Sequence, residues 1–274
     1  MSPDTLLMVQ MVALLLAIGA VGGFLSGLLG VGGGILFVPA LYFCLSAMGI
    51  GAEHAMHVAV GSSLAIICVT GATSALSHWR RGGVDTEHIR LWIVPLMSGV
   101  GVGAVFAGFV DSHILRVIFA AVTTLICFYM MFSPQPKTPD ACLIVPKRIQ
   151  KMVMAFIGVL ASLIGVGGAV MTVPFMHLMG FPMPRAAGTG SALGMFIAVP
   201  GTLFYMITGM IHHEGLPPYS FGYVNGLAVG IIIPVSVLMA PLGVQAAHSL
   251  SRDMLRRVFA VVLLIVSVRM FMTL

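Results

Sequence analysis

The chain alternates long uncharged stretches with short charged clusters. No Asp, Glu, Lys or Arg occurs within seven stretches: Thr5–Ala52, His54–Trp79, Leu91–Val110, Val117–Pro136, Met152–Pro184, Ala186–His213 and Gly215–Ser251. Each stretch supplies the roughly 20 apolar residues that a membrane-spanning helix needs, and some are long enough for more than one pass. Because the runs lack the alternation of barrel strands, the pattern predicts an all-α integral membrane protein.

Two of these stretches contain glycine-rich segments of similar sequence. The first reads GLLGVGGGILFVP from Gly27 to Pro39, and the second reads SLIGVGGAVMTVP from Ser162 to Pro174. A break in a membrane helix leaves backbone N–H and C=O groups without partners unless protein, water or a ligand satisfies them. The glycines therefore predict either a binding site or close helix packing through small residues.

The glycine segments belong to an internal duplication. Three segments match in the same order: GVGGG with GVGGA at Gly30 and Gly165, GSSL with GSAL at Gly61 and Gly190, and LRVIFA with LRRVFA at Leu115 and Leu255. The predicted organisation is a first repeat over 1–133, a polar cytoplasmic linker over 134–146 and a second repeat over 147–274, forming one membrane domain. The second repeat has Ala169 where the first has Gly34, so we expect unequal turns.

Basic clusters indicate the topology, because cytoplasmic loops carry the excess of Lys and Arg. They lie at Arg80–Arg90, Lys137–Lys151, Arg185 and Arg252–Arg257. All fall on one side if each glycine-broken segment enters and leaves the membrane as a hairpin. Each half then has an odd number of passes, so we expect two inverted-topology repeats with roughly 8–10 transmembrane or half-spanning helices and glycine-broken hairpins.

The helix limits follow the apolar runs. The expected hairpin legs are Leu6–Leu29 with Gly34–Met48, and Met152–Ile164 with Ala169–Met179. The other helices are expected near Met56–Ser77, Leu91–Val110, Ile114–Phe132, Ala186–Met210, Phe221–Val244 and Met254–Met272. Trp79 and Trp92 flank a basic loop and are expected at the membrane interface.

The glycines and nearby hydroxyls are the candidate substrate-binding groups. A helix that begins inside the membrane directs N–H groups and its positive dipole end into the break, which favours an anion. Hydroxyls near helix starts can donate to an oxyanion, although capping and interhelical hydrogen bonding explain them equally well. The candidates are Gly30, Gly32, Gly33, Gly34, Ser62, Ser63, Gly165, Gly167, Gly168, Thr189 and Ser191.

Titratable groups narrow the class of transported ion. No Asp or Glu lies deep in an expected span, which argues against a cation transporter or a carboxylate-based proton pump. Histidine is then the main candidate for proton coupling near neutral pH, at His57, His78 and His177, although each also fits a structural role near a helix end. His212-His213-Glu214 resembles metal ligands but has no third ligand nearby in the sequence.

Composition excludes several other classes. Hydrophobic residues make up 59% of the chain and charged residues 8%, so the net charge of +5 reflects topology signals and not a nucleic-acid partner. Four scattered cysteines support neither a disulfide framework nor a zinc site. No catalytic motif or nucleophile–base pair is present, so we expect no enzyme activity, no cofactor and no metal.

The chain resembles the sulfite exporter TauE/SafE family of membrane permeases. The resemblance lies in GFLSGLLGVGGGILFVPAL (Gly23–Leu41), VAVGSSLAII with SALSHWRRGGVD (Val58–Asp85), GVLASLIGVGGAVMTVPFM (Gly158–Met176) and GTGSALGMF (Gly188–Phe196). It implies a secondary transporter that moves a small sulfur-containing anion, such as sulfite or a sulfonate-related compound, across the bacterial cytoplasmic membrane. An anion channel, or uptake of another small oxyanion or organic anion, is the alternative, and the partners expected are this anion, the lipid bilayer and a coupled proton.

Overall fold

The computed structural model describes residues 3–30, 32–47, 54–132, 145–211 and 215–272. Within these ranges the chain forms ten α-helices and one short β-hairpin. The helices are α1 (Pro3–Leu29), α2 (Gly34–Ala47), α3 (Ala55–Trp79), α4 (Thr86–Ala107), α5 (Ser112–Phe132), α6 (Lys147–Ile164), α7 (Ala169–Leu178), α8 (Met183–Ile211), α9 (Gly226–Ser249) and α10 (Arg252–Phe271). Strand β1 (Ser220–Phe221) pairs antiparallel with β2 (Val224–Asn225).

The helix lengths confirm the all-α integral membrane architecture. Among the described residues, six helices are long and apolar enough to cross a membrane, namely α1, α3, α4, α5, α8 and α9. The two helices that follow the glycine segments are shorter, with 14 residues in α2 and 10 in α7. Because α7 spans only about 15 Å at 1.5 Å per residue, it crosses part of a bilayer.

Helix pairing is the same in the two halves of the chain. Helix α1 packs on α9, and its counterpart α6 packs on α4. In the same way α2 packs on α3 and α7 on α8, while α3 with α8 and α5 with α10 form the contacts between counterparts. If each helix is exchanged for its counterpart in the other half, α1 for α6 through α5 for α10, the same set of helix contacts results.

Small residues let α1 and α9 approach closely and run in parallel. Gly23 faces Ser236 and Gly27 faces Ala240, so both helices advance by one turn between these contacts. The Ser236 hydroxyl also donates to the carbonyl oxygen of Gly19 at 2.8 Å. Glycines spaced four residues apart therefore serve helix packing within α1, as the small-residue alternative predicted.

Contacts between helix ends give the directions of the other helices. Helices α4 and α6 are parallel, since Gly99 faces Ala155 and Gly103 faces Val159. Helices α3 and α9 are also parallel, because they touch near both their starts and their ends. Helix α3 is antiparallel to α8, which runs parallel to α4. Helices α1 and α6 consequently point in opposite directions, as an inverted duplication requires.

The basic loops meet at one face of the bundle, which we call the basic face. Helices α3 and α9 end there, and α4, α6 and α8 begin there. Three contacts join these ends: His78 with His248, Arg185 with Asp85, and Trp92 with Gln150. The linker over 134–146 lies outside the described residues except for its last two positions.

Trp92 corrects one expectation from the sequence. Trp79 is exposed at the basic face, but Trp92 is fully buried. Its indole N–H donates to Gln150 Oε1 at 2.9 Å, and its ring packs near Phe175 and His88. A tryptophan can leave the interface in this way because a buried acceptor satisfies its one polar atom.

Candidate functional site

The two glycine segments form turns with the same backbone conformation. Each turn has three glycines in the left-handed region: Gly30 (φ 68°), Gly32 (71°) and Gly33 (80°) in the first, and Gly165 (67°), Gly167 (68°) and Gly168 (70°) in the second. Residues with a side chain rarely adopt this conformation. The backbone angles are therefore alike in both turns, contrary to the expected inequality.

Hydrogen bonds close each turn in corresponding ways. Gly30 N–H donates to Ser26 O at 3.0 Å, and Gly165 N–H donates to Ala161 O at 2.9 Å, so both glycines cap the preceding helix. On the far side, Phe37 N–H donates to Gly33 O, and the equivalent carbonyl is that of Gly168. Each turn thus joins the end of one helix to the start of an oppositely directed one.

The two turns touch each other inside the bundle. At Gly34 a Cβ would lie 2.8 Å from both the carbonyl oxygen of Gly165 and the Cα of Val166. Ala169 occupies the corresponding position in the second turn, where its methyl group packs near Gly190. The two turns therefore differ in that the second carries a methyl group at this position and the first carries none. All the predicted glycines are buried.

Hydroxyls of α3 hold one carbonyl oxygen of each turn. Ser63 donates to Gly165 O at 2.8 Å. The Thr70 hydroxyl lies 3.0 Å from both Gly32 O and Ile66 O of its own helix, so its single hydrogen is shared between these two acceptors. In a trans peptide the C=O and N–H point in opposite directions. With both carbonyl oxygens turned toward α3, the N–H groups of Val166 and Gly33 point away from α3.

Several N–H groups of the turns are left without a protein acceptor. Within the part of the chain that the structure describes, this is true of Gly33, Val166, Gly167 and Gly168. The starts of α2 and α7 add the positive ends of two helix dipoles. The arrangement offers an anion buried N–H donors and no nearby acidic side chain from the turns themselves.

All the predicted hydroxyls bond to protein, and that of Ser63 bonds directly to a turn. Ser62 accepts from Asn225 N–H at 2.8 Å, and Thr189 accepts from Asp85 N–H at 2.9 Å. These equivalent bonds make Thr189 the counterpart of Ser62. The match of GSSL with GSAL instead pairs Ser62 with Ser191, two residues further along α8. Helix packing and not local sequence similarity sets which residues correspond.

A further hydroxyl cluster lies beside the first turn. Ser74 donates to Ser26 O at 3.2 Å, and its oxygen lies 2.9 Å from that of the predicted residue Ser191. The hydroxyl of Ser26 is buried and has no hydrogen-bond partner among the described residues. A buried hydroxyl without a partner costs free energy, so this position is suited to a polar ligand.

Histidines at the two ends of α3 make different contacts. His57 Nε2 donates to Ala107 O at 3.2 Å, and its Nδ1 lies 3.2 Å from Ser112 Oγ. His78 Nε2 donates to Gly27 O at 3.0 Å, which leaves Nδ1 of the neutral ring to accept from His248 Nε2 at 3.3 Å. The two predicted histidines are about 30 Å apart along the helix.

The third predicted histidine, His177, is buried on α7. The structure therefore does not bring the three candidates for proton coupling together as one group. His248 was missed by sequence reasoning, because nothing near it in the sequence indicates a contact with α3. The His212-His213-Glu214 segment lies outside the described residues, and no group of three potential metal ligands occurs within them.

Sequence reasoning also missed the caps that join α4 to α8 and α9 to α3. Asp85 caps α4 by accepting from His88 N–H at 3.1 Å, and Asn225 caps α9 by accepting from Ala228 N–H at 2.9 Å. The segment around each cap, GVDT and YVNG, is short and only weakly similar. The repeated arrangement was therefore recognisable only from the packing.

Asp85 carries the main electrostatic feature of the basic face. Burial raises the pKa of its carboxyl, but hydrogen bonds from His88 and attraction to His88 and Arg185 outweigh burial and hold the pKa below its ordinary value. The Arg185 guanidinium lies 3.5 Å from Asp85 Oδ2. This ion pair links the starts of α4 and α8.

The fold and the paired turns define a multi-pass α-helical membrane protein built on a duplicated set of helices. The family model of the sulfite exporter TauE/SafE matches residues 15–270. The chain belongs to this family, and it is a membrane transporter.

Relatives across bacteria and archaea carry matching names. A probable membrane transporter protein of Haemophilus influenzae is 30% identical over 97% of this chain and 100% of its own length. One of Methanocaldococcus jannaschii is 25% identical over 89% of both chains. The probable membrane transporter protein YunE of Bacillus subtilis is 27% identical over 73% of this chain and 80% of its own. No solved structure matches the chain.

Proposed function

We propose that the protein is a secondary transporter that moves a small sulfur-containing anion, such as sulfite or a sulfonate-related compound. The anion binds between the two glycine turns, and the two halves, acting as inverted repeats, rock around it. The single observation that carries this proposal is the contact of two left-handed glycine turns at Gly34 and Gly165.

Charge and hydrogen bonding favour an anion at this place. The turns provide N–H donors from Gly33, Val166, Gly167 and Gly168. Hydroxyls of α3 bond to the carbonyl oxygens of the peptides that carry the Gly33 and Val166 donors. Two helix N-termini add partial positive charge, and donors fixed in a buried site interact more strongly with an anion than they do in water. Among the predicted hydroxyls, that of Ser63 supports a turn directly, and all of them reach the anion only if their internal bonds rearrange.

Burial of the turns favours a coupled transporter over an open pore. The glycines of both turns and the hydroxyls of Ser62, Ser63, Thr189 and Ser191 are buried. Access from one side at a time then requires movement of the halves, as in transporters built from inverted repeats. An anion channel predicts conductance in a planar bilayer without saturable uptake.

The test is anion uptake into proteoliposomes by variants with one added methyl group in a turn. We expect Gly33→Ala and Gly168→Ala to lower sulfite uptake about 5–30-fold. The reason is that alanine in the left-handed region costs about 1–2 kcal/mol, and its methyl group would also press against Phe37 at Gly33 or Ile197 at Gly168. Both effects disfavour the conformation that binds the anion. Radiolabelled sulfite uptake under initial-rate conditions provides the measurement.

Two helix glycines provide matched controls. At Gly101 and Gly230 a Cβ would meet no atom within 4 Å, and both are in ordinary helical conformation. Gly101→Ala and Gly230→Ala should therefore transport like the wild type. Undiminished uptake by folded Gly33→Ala and Gly168→Ala proteins would contradict a binding role for the turns. If neither the wild type nor any variant shows saturable uptake, the protein does not transport sulfite.

A further inference from the structure

One side chain, that of Ile67, lies between the two glycine turns. A Cβ at Gly34 would lie 2.6 Å from Ile67 Cδ1, and one at Gly32 would lie 2.9 Å from Ile67 Cγ2. From the second half, a Cβ at Gly167 would lie 3.0 Å from the same Cγ2 atom. Ile67 is fully buried and contacts both turns beside the place where they touch.

The neighbours of Ile67 on α3 fix its position relative to the turns. Ser63 and Thr70, one turn before and one turn after it, hold the carbonyl oxygens of Gly165 and Gly32. Residues at these spacings share one face of a helix. Ile67 therefore projects from the same face of α3 that sets the direction of the turn peptides.

The second half offers no side chain at the equivalent place. Contacts that relate Ser62 to Thr189, and His78 to Tyr205, place α8 residues 127 positions after their α3 counterparts. The counterpart of Ile67 is therefore Gly194, where a Cβ would lie 2.7 Å from Gly167 O. Of these two counterparts, the α3 residue therefore carries a side chain beside the turns and the α8 residue carries none.

We propose that Ile67 is a specificity-determining residue that sets how large an anion the turns accept. This inference rests on the proposed function, because it assigns the size limit of the same site. The proposed site lies between the turns, where Ile67 Cγ2 and Cδ1 reach glycines of both turns, so an anion bound there lies in contact with Ile67. The residue is branched at Cβ and has few rotamers, so its side chain cannot easily move aside for a larger anion. The site then combines polar donors with one apolar wall, which suits a small oxyanion or a sulfonate with a very short alkyl group.

The test is uptake of a size series by purified protein in proteoliposomes. The anions are sulfite, methanesulfonate, ethanesulfonate and butanesulfonate, and the variants are Ile67→Val and Ile67→Ala. We expect the ratio of ethanesulfonate to sulfite uptake to rise about tenfold or more in Ile67→Val, because one methylene in a closely fitting pocket is worth at least that much discrimination. Ile67→Ala should extend the gain to butanesulfonate.

A neighbouring isoleucine provides the control. Ile66 is fully buried on the same helix, and its side chain is not among the atoms that approach the turn glycines. Ile66→Val should therefore leave the uptake ratios at the wild-type values. Thermal unfolding in detergent checks that each variant is folded, and Ile67→Val decides the result if Ile67→Ala does not fold.

The outcomes separate this inference from the proposed function. Sulfite uptake with unchanged ratios in folded Ile67→Val overturns the role of Ile67 and leaves the anion transporter standing. Absence of uptake of every anion by the folded wild type overturns the proposed function and the inference with it. A rise in the ratios confined to Ile67 variants supports both.

Discussion

At the scale of single residues, the direction of the turn peptides matters more for anion binding than the number of polar atoms does. The hydroxyls of Thr70 and Ser63 donate to carbonyl oxygens of the turns. They thereby hold two partial negative charges on the side of α3, away from the side to which the N–H groups of the turns point. Glycine alone leaves a peptide free to rotate. The hydroxyls of α3 restrict that freedom, so a flexible sequence adopts one electrostatic arrangement.

Removal of the Thr70 hydroxyl should weaken anion binding. Thr70→Val keeps the shape of the side chain and leaves Gly32 O without its donor, at a cost of about 1–3 kcal/mol. The turn peptide can then rotate, so we expect the KM for sulfite to rise more than the maximal rate falls. Initial-rate uptake over a range of sulfite concentrations provides both values.

Two further variants test whether this effect belongs to the hydroxyl bond. Thr70→Ser should recover most of the affinity because it restores the donor. Thr73→Val should behave like the wild type, since the Thr73 hydroxyl donates only to Val69 O on its own helix. Equal KM values for Thr70→Val and Thr73→Val would show that the bond to the turn has no part in binding.

At the scale of helices, corresponding caps differ in charge between the two faces of the bundle. Asp85 caps α4 at the basic face and pairs with Arg185, whereas the neutral Asn225 caps α9 at the opposite face. Both caps also donate their backbone N–H to a hydroxyl of the neighbouring long helix, Thr189 or Ser62. Both halves of the duplication thus keep the bond between the cap residue and the neighbouring helix, but the cap is charged at the basic face and neutral at the opposite face.

Asp85→Asn should lower stability in a manner that depends on pH. Asparagine caps a helix as well as aspartate does, so the variant loses chiefly the attraction to His88 and Arg185. Because the pKa of Asp85 in the folded protein lies below the ordinary 3.8, the charge stabilises the fold above that pH and ceases to do so as the pH falls through the lowered value. We expect a Tm difference at pH 6 that shrinks toward pH 3 in detergent.

Asn225→Gln serves as the comparison for this measurement. It weakens a neutral cap, so its Tm deficit should stay nearly constant over the same pH range. A deficit of Asp85→Asn that is likewise constant from pH 6 to pH 3 would rule out a contribution from the carboxylate charge.

The hairpins and the helix limits at the glycine breaks were the predictable part of this architecture. The start of α9 was not, because Phe221 lies in the β-hairpin and the helix begins at Gly226. Long apolar runs and the glycine breaks led to α1 ending at Leu29, α2 beginning at Gly34, α6 ending at Ile164 and α7 beginning at Ala169. These limits depend on nearby residues, which a sequence displays directly. The candidate glycines and hydroxyls also lie together, although their role in binding stays a prediction.

The contacts between distant helices were not predictable. Thr70, Ile67 and His248 look like ordinary helix residues, and their importance arises from partners that lie far along the chain or in the other half. The match of GSSL with GSAL also misled, since Thr189 and not Ser191 takes the place of Ser62. Local similarity carries no information about the register in which two helices pack.

At the scale of the whole molecule, α3 connects both turns with both faces of the bundle. His78 at its end bonds the last turn of α1 and His248 of α9, and it lies at the basic face. A proton gained by His78 removes the acceptor that joins the two rings, because a protonated imidazole has donors only. Separation of α3 from α9 at this face would open a path from the basic face toward the turns.

A pH gradient should therefore change anion flux through His78. We predict that an imposed gradient alters the initial rate of sulfite uptake severalfold in the wild type, and that His78→Gln removes this response while retaining a donor for Gly27 O. His113→Gln, at an exposed position, should keep the wild-type response. Wild-type flux that is indifferent to the gradient would exclude proton coupling at His57, His78 and His177 alike.

The parallel packing of α1 on α9 has a consequence for biosynthesis. Helix α1 precedes α9 in the chain, so it finds its main partner only when the segment from Gly226 to Ser249 has been made and inserted. Until then the row formed by Gly19, Gly23 and Gly27 has no matching surface, and α6 has been synthesised beside its own partner α4. The second hairpin can therefore pack before the first, and a chain that stops before α9 leaves the glycine row of α1 without its partner helix.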